Sequence, residues 1–223
     1  MLIKTASVGP WGTNCHVVAT GAKNECLVID PGLGAAEFVH QVIAEYGLRP
    51  VAVLATHGHV DHIWQIYPLT ADLAIPAVIH KSDRAFLTDP IKAISPEGGK
   101  LVNSLTPDQQ WLEPNEVIEI SNRAYLDFAG FTISIIPTPG HTGGSVCFQL
   151  NGDHLFTGDL LFKNAIGRTD LYSGDAKQME QSLSMIMTEF GDDTLLFPGH
   201  GDNSTIGAER ANNPYLKNLR MDQ

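Results

Sequence analysis

The chain has 223 residues, of which 43% are hydrophobic and 17% are charged, so it carries enough apolar material for a sizeable core. Its formal net charge is -11 and its 14 Lys and Arg residues form no run, which argues against a nucleic-acid partner. No segment approaches the roughly 20 consecutive apolar residues of a membrane span, and the N-terminus lacks the apolar stretch of a signal peptide. Three scattered cysteines without a CxxC pair fit no disulfide framework, so we expect a reduced, cytoplasmic protein with a single domain over residues 1–223.

Apolar runs of strand length alternate with helical patterns in the first third of the chain. The turn signal Asp30-Pro31-Gly32 ends the first run, and Gly47 stops the first helical pattern. The predicted elements are a strand over Cys26–Ile29, a helix over Phe38–Tyr46, a strand over Val51–Ala55, a helix over Trp64–Leu73 and a strand over Ala77–His80. This alternation is typical of an α/β layered domain.

The middle of the chain is less regular than its two ends. The segment from Asp83 to Pro114 is rich in proline and carries the pair Gly98-Gly99, so we predict a surface excursion with a short helix that forms a wall of a pocket. The pair Asn151-Gly152 is a strong hairpin signal. The later predicted elements are strands over Phe131–Ile136, Ser145–Leu150 and His154–Thr157, a helix over Ala176–Phe190 and a strand over Thr194–Phe197.

Four potential metal ligands lie within six residues, in the segment His57-Gly58-His59-Val60-Asp61-His62. In a helix, residues four apart would face each other, whereas these histidines alternate with a glycine directly after the strand Val51–Ala55. We therefore expect a loop whose side chains surround a point at the carboxyl end of that strand. Open α/β sheets tend to hold their ligands at this edge.

Three further segments repeat the layout of an apolar strand followed by a ligand residue beside a glycine: Pro139-Gly140-His141, Thr157-Gly158-Asp159 and Pro198-Gly199-His200. Glycine lets the backbone pass close to a site without interference from a Cβ atom. Together the segments offer five imidazoles and two carboxylates, and seven such ligands are too many for one tetrahedral zinc ion. The set predicts two divalent ions sharing one carboxylate, with zinc as the expected metal and iron or manganese as alternatives. The remaining histidines lack this context and are assigned to structural or surface positions: His16, His40, His80 and His154.

These segments resemble the metallo-β-lactamase-fold superfamily and, within it, the glyoxalase II-like (hydroxyacylglutathione hydrolase-like) branch. The matching motifs follow one another along most of the chain: Thr13-Asn14-Cys15, Ile29-Asp30-Pro31-Gly32, Thr56–His62, Thr138-Pro139-Gly140-His141-Thr142, Gly158-Asp159, Gly167-Arg168-Thr169-Asp170, Pro198-Gly199-His200-Gly201, Thr205-Ile206-Gly207 and Asn213-Pro214. The resemblance implies an α/β fold, a four-layer αββα sandwich in which helices flank two mixed sheets and the metals lie at the sheet edge.

The resemblance also implies a role for each ligand. It places His57, His59 and His141 on the first metal and Asp61, His62 and His200 on the second, with Asp159 bridging both. The implied reaction is hydrolysis of a thioester such as S-lactoylglutathione, or of a related ester, by a hydroxide that bridges the ions. One ion would stabilise the oxyanion that forms, and Asp61 would help to orient the hydroxide.

Two features depart from glyoxalase II proper. That enzyme carries a C-terminal helical extension that helps to bind glutathione, whereas only 23 residues follow His200 here. Its glutathione-contacting Lys and Tyr correspond to Arg168 and Asp170. Arg168 can hold a substrate carboxylate through its planar fork, or it can pair with Asp170 to fix a loop, and both interpretations remain open.

A second enzyme class shares most of these residues. Mononuclear iron persulfide dioxygenases resemble the chain but bind iron only through the equivalents of His57, His141 and Asp159. They usually carry Cys where this chain has Ser145, which favours the hydrolase. The complete ligand set disfavours a non-enzymatic metal-binding or scaffold role.

Other members of the superfamily fit less well. The lack of a secretion signal argues against a periplasmic β-lactamase, and the acidic balance argues against a ribonuclease. We expect a small-molecule substrate, no nucleic-acid partner and no membrane partner. The segments that follow His62 and Asp159 predict a pocket shaped by Trp64, Phe162, Arg168 and Tyr172.

Overall fold

The N-terminal half of the chain builds the first of two six-stranded sheets. The computed structural model describes residues 1–217 and 219. The sheet has the strand order β1-β2-β3-β4-β5-β6, with β1 (Leu2–Val8), β2 (Thr13–Ala19), β3 (Glu25–Ile29), β4 (Arg49–Leu54), β5 (Ala77–His80) and β6 (Val117–Ile120). Strands β1 to β3 pair antiparallel, and β3 to β6 pair parallel. The parallel strands therefore end at one common edge.

The C-terminal half of the chain supplies the strands of the second sheet and of a small hairpin. They are β7 (Ala124–Phe128), β8 (Phe131–Pro137), β9 (Val146–Leu150), β10 (His154–Gly158), β11 (Leu161–Phe162), β12 (Ala165–Ile166), β13 (Leu195–Pro198) and β14 (Ser204–Thr205). The second sheet has the order β14-β13-β10-β9-β8-β7, in which only β10 and β13 pair parallel and the other neighbours pair antiparallel. The short strands β11 and β12 form the separate hairpin.

Six α-helices accompany the sheets in the part of the chain that the structure describes. They are α1 (Ala35–Tyr46), α2 (Val60–Ile63), α3 (Ile66–Leu73), α4 (Pro96–Leu105), α5 (Ala176–Glu189) and α6 (Ile206–Asn212). Two 3-10 turns, Arg84–Leu87 and Pro90–Ala93, precede α4. Within these described residues, no helix is both long and apolar enough to cross a membrane.

Three apolar layers hold these elements together. In β4, Leu54 faces the second sheet, where it belongs to a cluster with Ile133 and Phe148, while Val53 faces α1 and packs with Val39. This is the two-residue alternation of a strand buried on both faces. A third cluster joins the outer face of the second sheet to α5. Full burial of one such side chain contributes about 1.5–3 kcal/mol, and the layers confirm the predicted αββα sandwich.

Most predicted elements are confirmed, and their ends follow local chemistry. Helix α1 ends at Gly47, which adopts the left-handed conformation at φ 62°. Helix α5 begins after Asp175, whose carboxylate accepts hydrogen bonds from the amides of Lys177 and Gln178. Asn151 and Gly152 both have positive φ in the turn between β9 and β10, as the hairpin signal predicts.

Two predictions need correction. The loop predicted over His57–His62 is wrong for its second half, because Val60–Ile63 forms one helical turn, with the amides of His62 and Ile63 bonded to the carbonyl of His59. Its apolar residues Val60 and Ile63 are buried, and their packing stabilises the turn. The region from Asp83 to Pro114 is more regular than predicted, since it holds two 3-10 turns and the ten residues of α4.

Candidate metal centre

All seven predicted ligand residues meet at one end of the two sheets. His57 and His59 follow β4 directly, and Asp61 and His62 lie on α2. His141, Asp159 and His200 follow β8, β10 and β13 of the other sheet. They form overlapping triads in which one ligand atom from each residue lies within 4.8 Å of the others. The triads are His57, His59 and His141 (the first group), Asp61, His62 and His200 (the second group), and His57, His62 and Asp159, which connects them.

The first group is a buried cluster of three imidazoles. The ring centroids of His57, His59 and His141 lie 4.4–4.9 Å apart, and His59 Nδ1 lies 2.7 Å from His141 Nε2. Burial lowers the pKa of His59 to about 3 and the pKa of His57 well below its usual range. Both rings are therefore neutral at pH 7, which is the form that binds a metal ion.

The second group has the spacing of a tetrahedral site. Asp61 Oδ2, His62 Nε2 and His200 Nε2 lie 3.2–3.4 Å from one another. Ligands bound to one tetrahedral zinc ion at about 2.0–2.1 Å lie roughly 3.3 Å apart. The three atoms therefore fit a single ion without rearrangement.

Asp159 lies between the two groups. One of its oxygens, Oδ2, is 3.4 Å from His200 Nε2 and 3.5 Å from His141 Nε2. The other, Oδ1, is 3.3 Å from His62 Nε2, is buried and has no hydrogen-bond partner. A Cβ atom at Gly199 would lie 2.3 Å from Asp159 Oδ1, so glycine is required there for the close approach of the His200 loop.

Hydrogen bonds on the far side of four imidazoles orient their rings. His141 Nδ1 donates to the carbonyl of Arg168 at 2.7 Å, and His200 Nδ1 donates to the carbonyl of Trp11 at 3.1 Å. His57 Nδ1 lies 3.1 Å from Thr56 Oγ1, and His62 Nδ1 lies 3.0 Å from Asp30 Oδ2. A bond at Nδ1 leaves Nε2 with its lone pair for a metal, and the buried Nε2 of His57 has no other partner. The donor set thus fits a pair of divalent ions.

Asp30 contacts the site, but the sequence shows it only as a turn signal and as part of a family motif, without a role. Its carboxylate accepts from the amide and hydroxyl of Thr56, at 2.8 and 2.7 Å, besides contacting His62. Its backbone is in the left-handed region at φ 51°, which is uncommon for a residue other than glycine. One buried carboxylate therefore orients His62 directly and His57 through Thr56. The sequence signal for this role is the position of Asp30 at the end of a buried strand.

The charges of the second group balance one another without a metal. Burial lowers the pKa of His200, but Asp159 and Asp61 outweigh it and raise that pKa to about 9. Burial likewise lowers the pKa of His62, and the carboxylates of Asp61, Asp159 and Asp30 raise it well above its usual range. Burial raises the pKa of Asp61, but His62 and His200 hold it at about 2. In the metal-free protein, protons on the histidines take the place of a bound cation.

A cleft of about 250 Å³ opens over the two groups. Besides ligand residues, it is lined by Trp11, Val60, Ile94, Ser95, Gly98, Arg168 and Leu171. The residues from Ile94 to Gly98 come from the segment predicted to form a pocket wall, and that prediction is confirmed. Of the four predicted pocket residues, Arg168 lines the cleft and Phe162 lines a neighbouring one beside His200.

The other two predicted pocket residues, Trp64 and Tyr172, do not line this cleft. Trp64 is buried beneath it, with ring centroids 6.0 Å from Trp11 and 5.3 Å from Trp111. Tyr172 is 53% exposed and its ring lies against Phe86, while its neighbour Leu171 reaches the cleft instead. Position in the sequence places the correct segments near the site but cannot tell which side chains turn towards it.

The sequence profile of the metallo-beta-lactamase superfamily matches residues 8–200. The chain belongs to this superfamily. A protein of Mycobacterium tuberculosis without an assigned function is 38% identical over 98% of this chain and 99% of its own length. The hydroxyacylglutathione hydrolase GloC of Haemophilus influenzae is 31% identical over 97% of this chain and 98% of its own length.

Solved structures of the superfamily have the same fold. The crystal structure of the B3 metallo-beta-lactamase BLEG-1 is 31% identical, with a TM-score of 0.83 over 97% of this chain and 100% of that one. The structure of TTHA1623 in a di-iron-bound form is 29% identical, with a TM-score of 0.78 over 96% of this chain and 100% of that one. Metal-dependent hydrolysis is thus the chemistry that the superfamily shares with this chain.

The motif Gly167-Arg168-Thr169-Asp170 combines the two roles considered for Arg168, pairing with Asp170 and facing the substrate. Arg168 Nε and Nη2 donate to Asp170 at 2.7 and 2.8 Å, so the pair that fixes the loop is present. The Arg168 side chain is still 59% exposed and lines the cleft. The carbonyl of Arg168 also orients His141, so this loop holds a predicted metal ligand as well as facing the cleft.

Proposed function

We propose that the chain is a hydrolase with two divalent metal ions that cleaves thioesters such as S-lactoylglutathione or related esters. The observation that carries this proposal is the position of Asp159, whose carboxylate lies 3.3–3.5 Å from ligand atoms of both groups. The ligand atoms of the second group lie 3.2–3.4 Å from one another, which is the spacing of a site of its own and favours a second ion. The di-iron form of TTHA1623 supports a pair of ions in a relative of 29% identity.

The described cysteines supply no competing nucleophile. Cys15, Cys26 and Cys147 are all buried. Burial raises the pKa of Cys26 and of Cys147 to about 12, so neither is a thiolate at pH 7. This supports water as the nucleophile.

The proposed ligands would have different roles in the reaction. Two divalent ions bound there would supply a water of lowered pKa and would polarise a carbonyl oxygen. The outer hydrogen bonds described above would hold the rings of His57, His62, His141 and His200 in place, and His62 and His200 would give up their protons to bind the second ion. Asp61 faces the cleft with a side chain 16% exposed, and Thr13 Oγ1 donates to its Oδ2 at 3.0 Å. That bond fixes the carboxylate, which would bind the second ion and would orient the attacking water by accepting a hydrogen bond from it.

The cleft suits a small acyl group on an extended carrier. Trp11, Val60, Ile94 and Leu171 give it an apolar wall, and Arg168 gives it one exposed cation. The apolar wall fits the acyl side, while the guanidinium fits a carboxylate on the thiol side. The activity of the relative GloC, hydroxyacylglutathione hydrolysis, supports this choice of substrate class.

A panel of three substrate classes tests the proposal. Purified, metal-loaded protein is assayed for hydrolysis of S-lactoylglutathione and of simple acyl thioesters, for opening of a chromogenic β-lactam, and for oxygen uptake with glutathione persulfide. We expect thioester hydrolysis that is lost with a chelator and restored by added metal. Oxygen uptake with one iron per chain would replace the hydrolase with the dioxygenase, and β-lactam opening without thioesterase activity would move the substrate class to that of BLEG-1.

A further inference from the structure

Asp83 is a fully buried carboxylate that belongs to neither ligand group. It lies three residues after β5, with 0% of its surface exposed. A tight turn fixes its backbone, because its amide donates to the carbonyl of His80 at 2.9 Å and its carbonyl accepts from the amide of Phe86 at 2.9 Å. The side chain is thus held at the carboxyl end of the parallel strands, beside the metal centre.

The carboxylate connects the two loops that carry the first group. Asp83 Oδ2 accepts a hydrogen bond from the Gly58 amide at 2.8 Å and another from Thr142 Oγ1 at 2.6 Å. Gly58 lies between His57 and His59, and Thr142 follows His141. Each bond therefore ends within one residue of a first-group ligand, and one oxygen links two loops whose histidines, His59 and His141, are 82 positions apart in the sequence.

Both loops are packed directly against this side chain. A Cβ atom on Gly58 would lie 2.9 Å from Asp83 Cβ, and a Cβ atom on Gly144 would lie 2.4 Å from the Asp83 carboxyl carbon. Neither position has room for a side chain, so each loop carries a glycine where it contacts Asp83. The second oxygen, Oδ1, is buried against Gly144 without a hydrogen-bond partner.

Burial of a carboxylate costs free energy of folding unless hydrogen bonds or an opposite charge compensate it. Burial raises the pKa of Asp83, and the bonds from Thr142 and Gly58 offset only part of that rise. An apolar residue of similar size would fill the same space without this cost, but it could not join the two loops. What the carboxylate adds is an acceptor shared by both of them.

We infer that Asp83 is a positioning residue that sets the distance between the His57–His59 loop and the His141 loop, and so shapes the first metal site. The inference rests on the proposed function, because it assumes that the first group binds a metal ion. Asp30 plays a different part, since it contacts His62 of the second group and reaches His57 only through Thr56. Loss of Asp83 should therefore affect the first site and spare the second.

Glu209 provides a matched control. It is also a buried carboxylate, 1% exposed, and it accepts from the Asn164 amide at 2.7 Å and from Asn213 Nδ2 at 2.9 Å. Its partners lie on β14, at the end of α6 and in the β11–β12 hairpin, and none of these hydrogen bonds reaches a residue of either ligand group. Asp83→Asn and Glu209→Gln thus remove the same charge from equally buried positions.

The experiment isolates the first site in a His200→Ala background, which disables the second group. Metal-free protein of this background, alone and with Asp83→Asn, Thr142→Val or Glu209→Gln added, is titrated with Co²⁺ and followed by visible absorption. We expect Asp83→Asn to weaken the remaining site by on the order of tenfold or more, Thr142→Val to weaken it less, and Glu209→Gln to leave it unchanged. Thermal unfolding of the metal-free variants measures the purely structural effect, which both carboxylate variants should share.

Two results would overturn the inference, and they differ. If His200→Ala binds one Co²⁺ and Asp83→Asn binds it equally well, Asp83 has no positioning role while the proposed function stands. If His200→Ala binds none, the first group is not a metal site, and the proposed function fails together with the inference. Should Asp83→Asn not fold, Thr142→Val alone decides, because it keeps the carboxylate and removes one of the two bonds.

Discussion

Asp30 Oδ2 lies 3.0 Å from His62 Nδ1, and both side chains are almost completely buried. The imidazole is thereby held with Nε2 facing His200 and Asp61, where the second ion is proposed to bind. A carboxylate that orients a histidine in this way typically accounts for a 10–100-fold effect on metal affinity.

Replacing Asp30 by asparagine should therefore weaken the second site by about that factor. The amide side chain of the Asp30→Asn variant would keep one acceptor but lose the charge that favours the metal-binding orientation of His62. Equilibrium dialysis against Zn²⁺ measures the change. Asp153→Asn is the control, since Asp153 forms a similar but exposed pair with His154 on the surface. Equal affinities for the two variants would show that the Asp30–His62 contact has no part in metal binding.

Asp159 and His62 should differ in the number of ions that depend on them. Asp159→Ala removes the side chain that lies within 3.5 Å of ligands in both groups, so this variant should lose both ions. His62→Ala should mainly lose the second ion. Elemental analysis of the purified variants gives the metal content per chain. Equal metal retention by the two variants would contradict the bridging position assigned to Asp159.

Binding of a metal ion to the second group should release protons. In the metal-free protein the pKa of His200 is about 9 and that of His62 is raised well above its usual range, so both are protonated at pH 7. A metal ion must displace these protons, so affinity at this site should rise with pH from pH 7 through the pKa of His200 at about 9. His57 and His59, with lowered pKa values, have none to release at pH 7.

Calorimetric titrations with Zn²⁺ in buffers of different ionisation enthalpy count these protons. We expect about two protons for the ion bound by the second group, and no release from His57 or His59. His200→Ala, which disables the second group, should abolish this release. A proton count that is zero for both ions, or unchanged in His200→Ala, would contradict the charge balance described for the centre.

Gly98 should control the size of the acyl group. It lines the cleft from α4, and a Cβ atom there would meet nothing closer than 3.4 Å, so a side chain fits without moving the backbone. Gly98→Ala should stabilise α4 by about 0.5–1 kcal/mol, whereas Gly98→Leu should fill the cleft. The kcat/KM of Gly98→Leu should fall for long acyl thioesters and be retained for acetyl thioesters.

Gly191→Leu serves as the control for this series, because Gly191 lies in open space away from the cleft. It should show no change in acyl preference. A uniform loss for all chain lengths in Gly98→Leu would indicate that the acyl group binds elsewhere.

Local patterns make much of the site predictable. His57, His59, Asp61 and His62 are neighbours in the chain, and each remaining ligand follows an apolar strand beside a glycine. The sandwich follows from alternating strand and helix patterns together with the family resemblance. These signals lie within short windows, where periodicity and turn chemistry decide the outcome.

The features that the sequence does not predict depend on long-range contacts. Asp30 binds Thr56, 26 positions away, and Asp83 binds Thr142, 59 positions away. The sequence around either aspartate does not indicate its partner. Strand β2 is not predicted because it is buried along its whole length although it contains Asn14 and His16, so it shows no apolar alternation. Its polar groups are satisfied across the fold, with His16 bonded to Thr5 and Asn14 to the carbonyls of Pro198 and Gly201.

The most direct measurement is thioesterase activity as a function of metal added to metal-free protein. Zn²⁺ is titrated in steps of a fraction of an equivalent, and S-lactoylglutathione hydrolysis is measured at each step. Trp11 lines the cleft and packs against Trp64, which contacts Trp111 edge to face, so tryptophan fluorescence gives an independent signal for binding. With Asp159 joining two groups, activity should rise until two ions are bound per chain. Full activity at one ion, or none at any metal content, would contradict the dinuclear hydrolase.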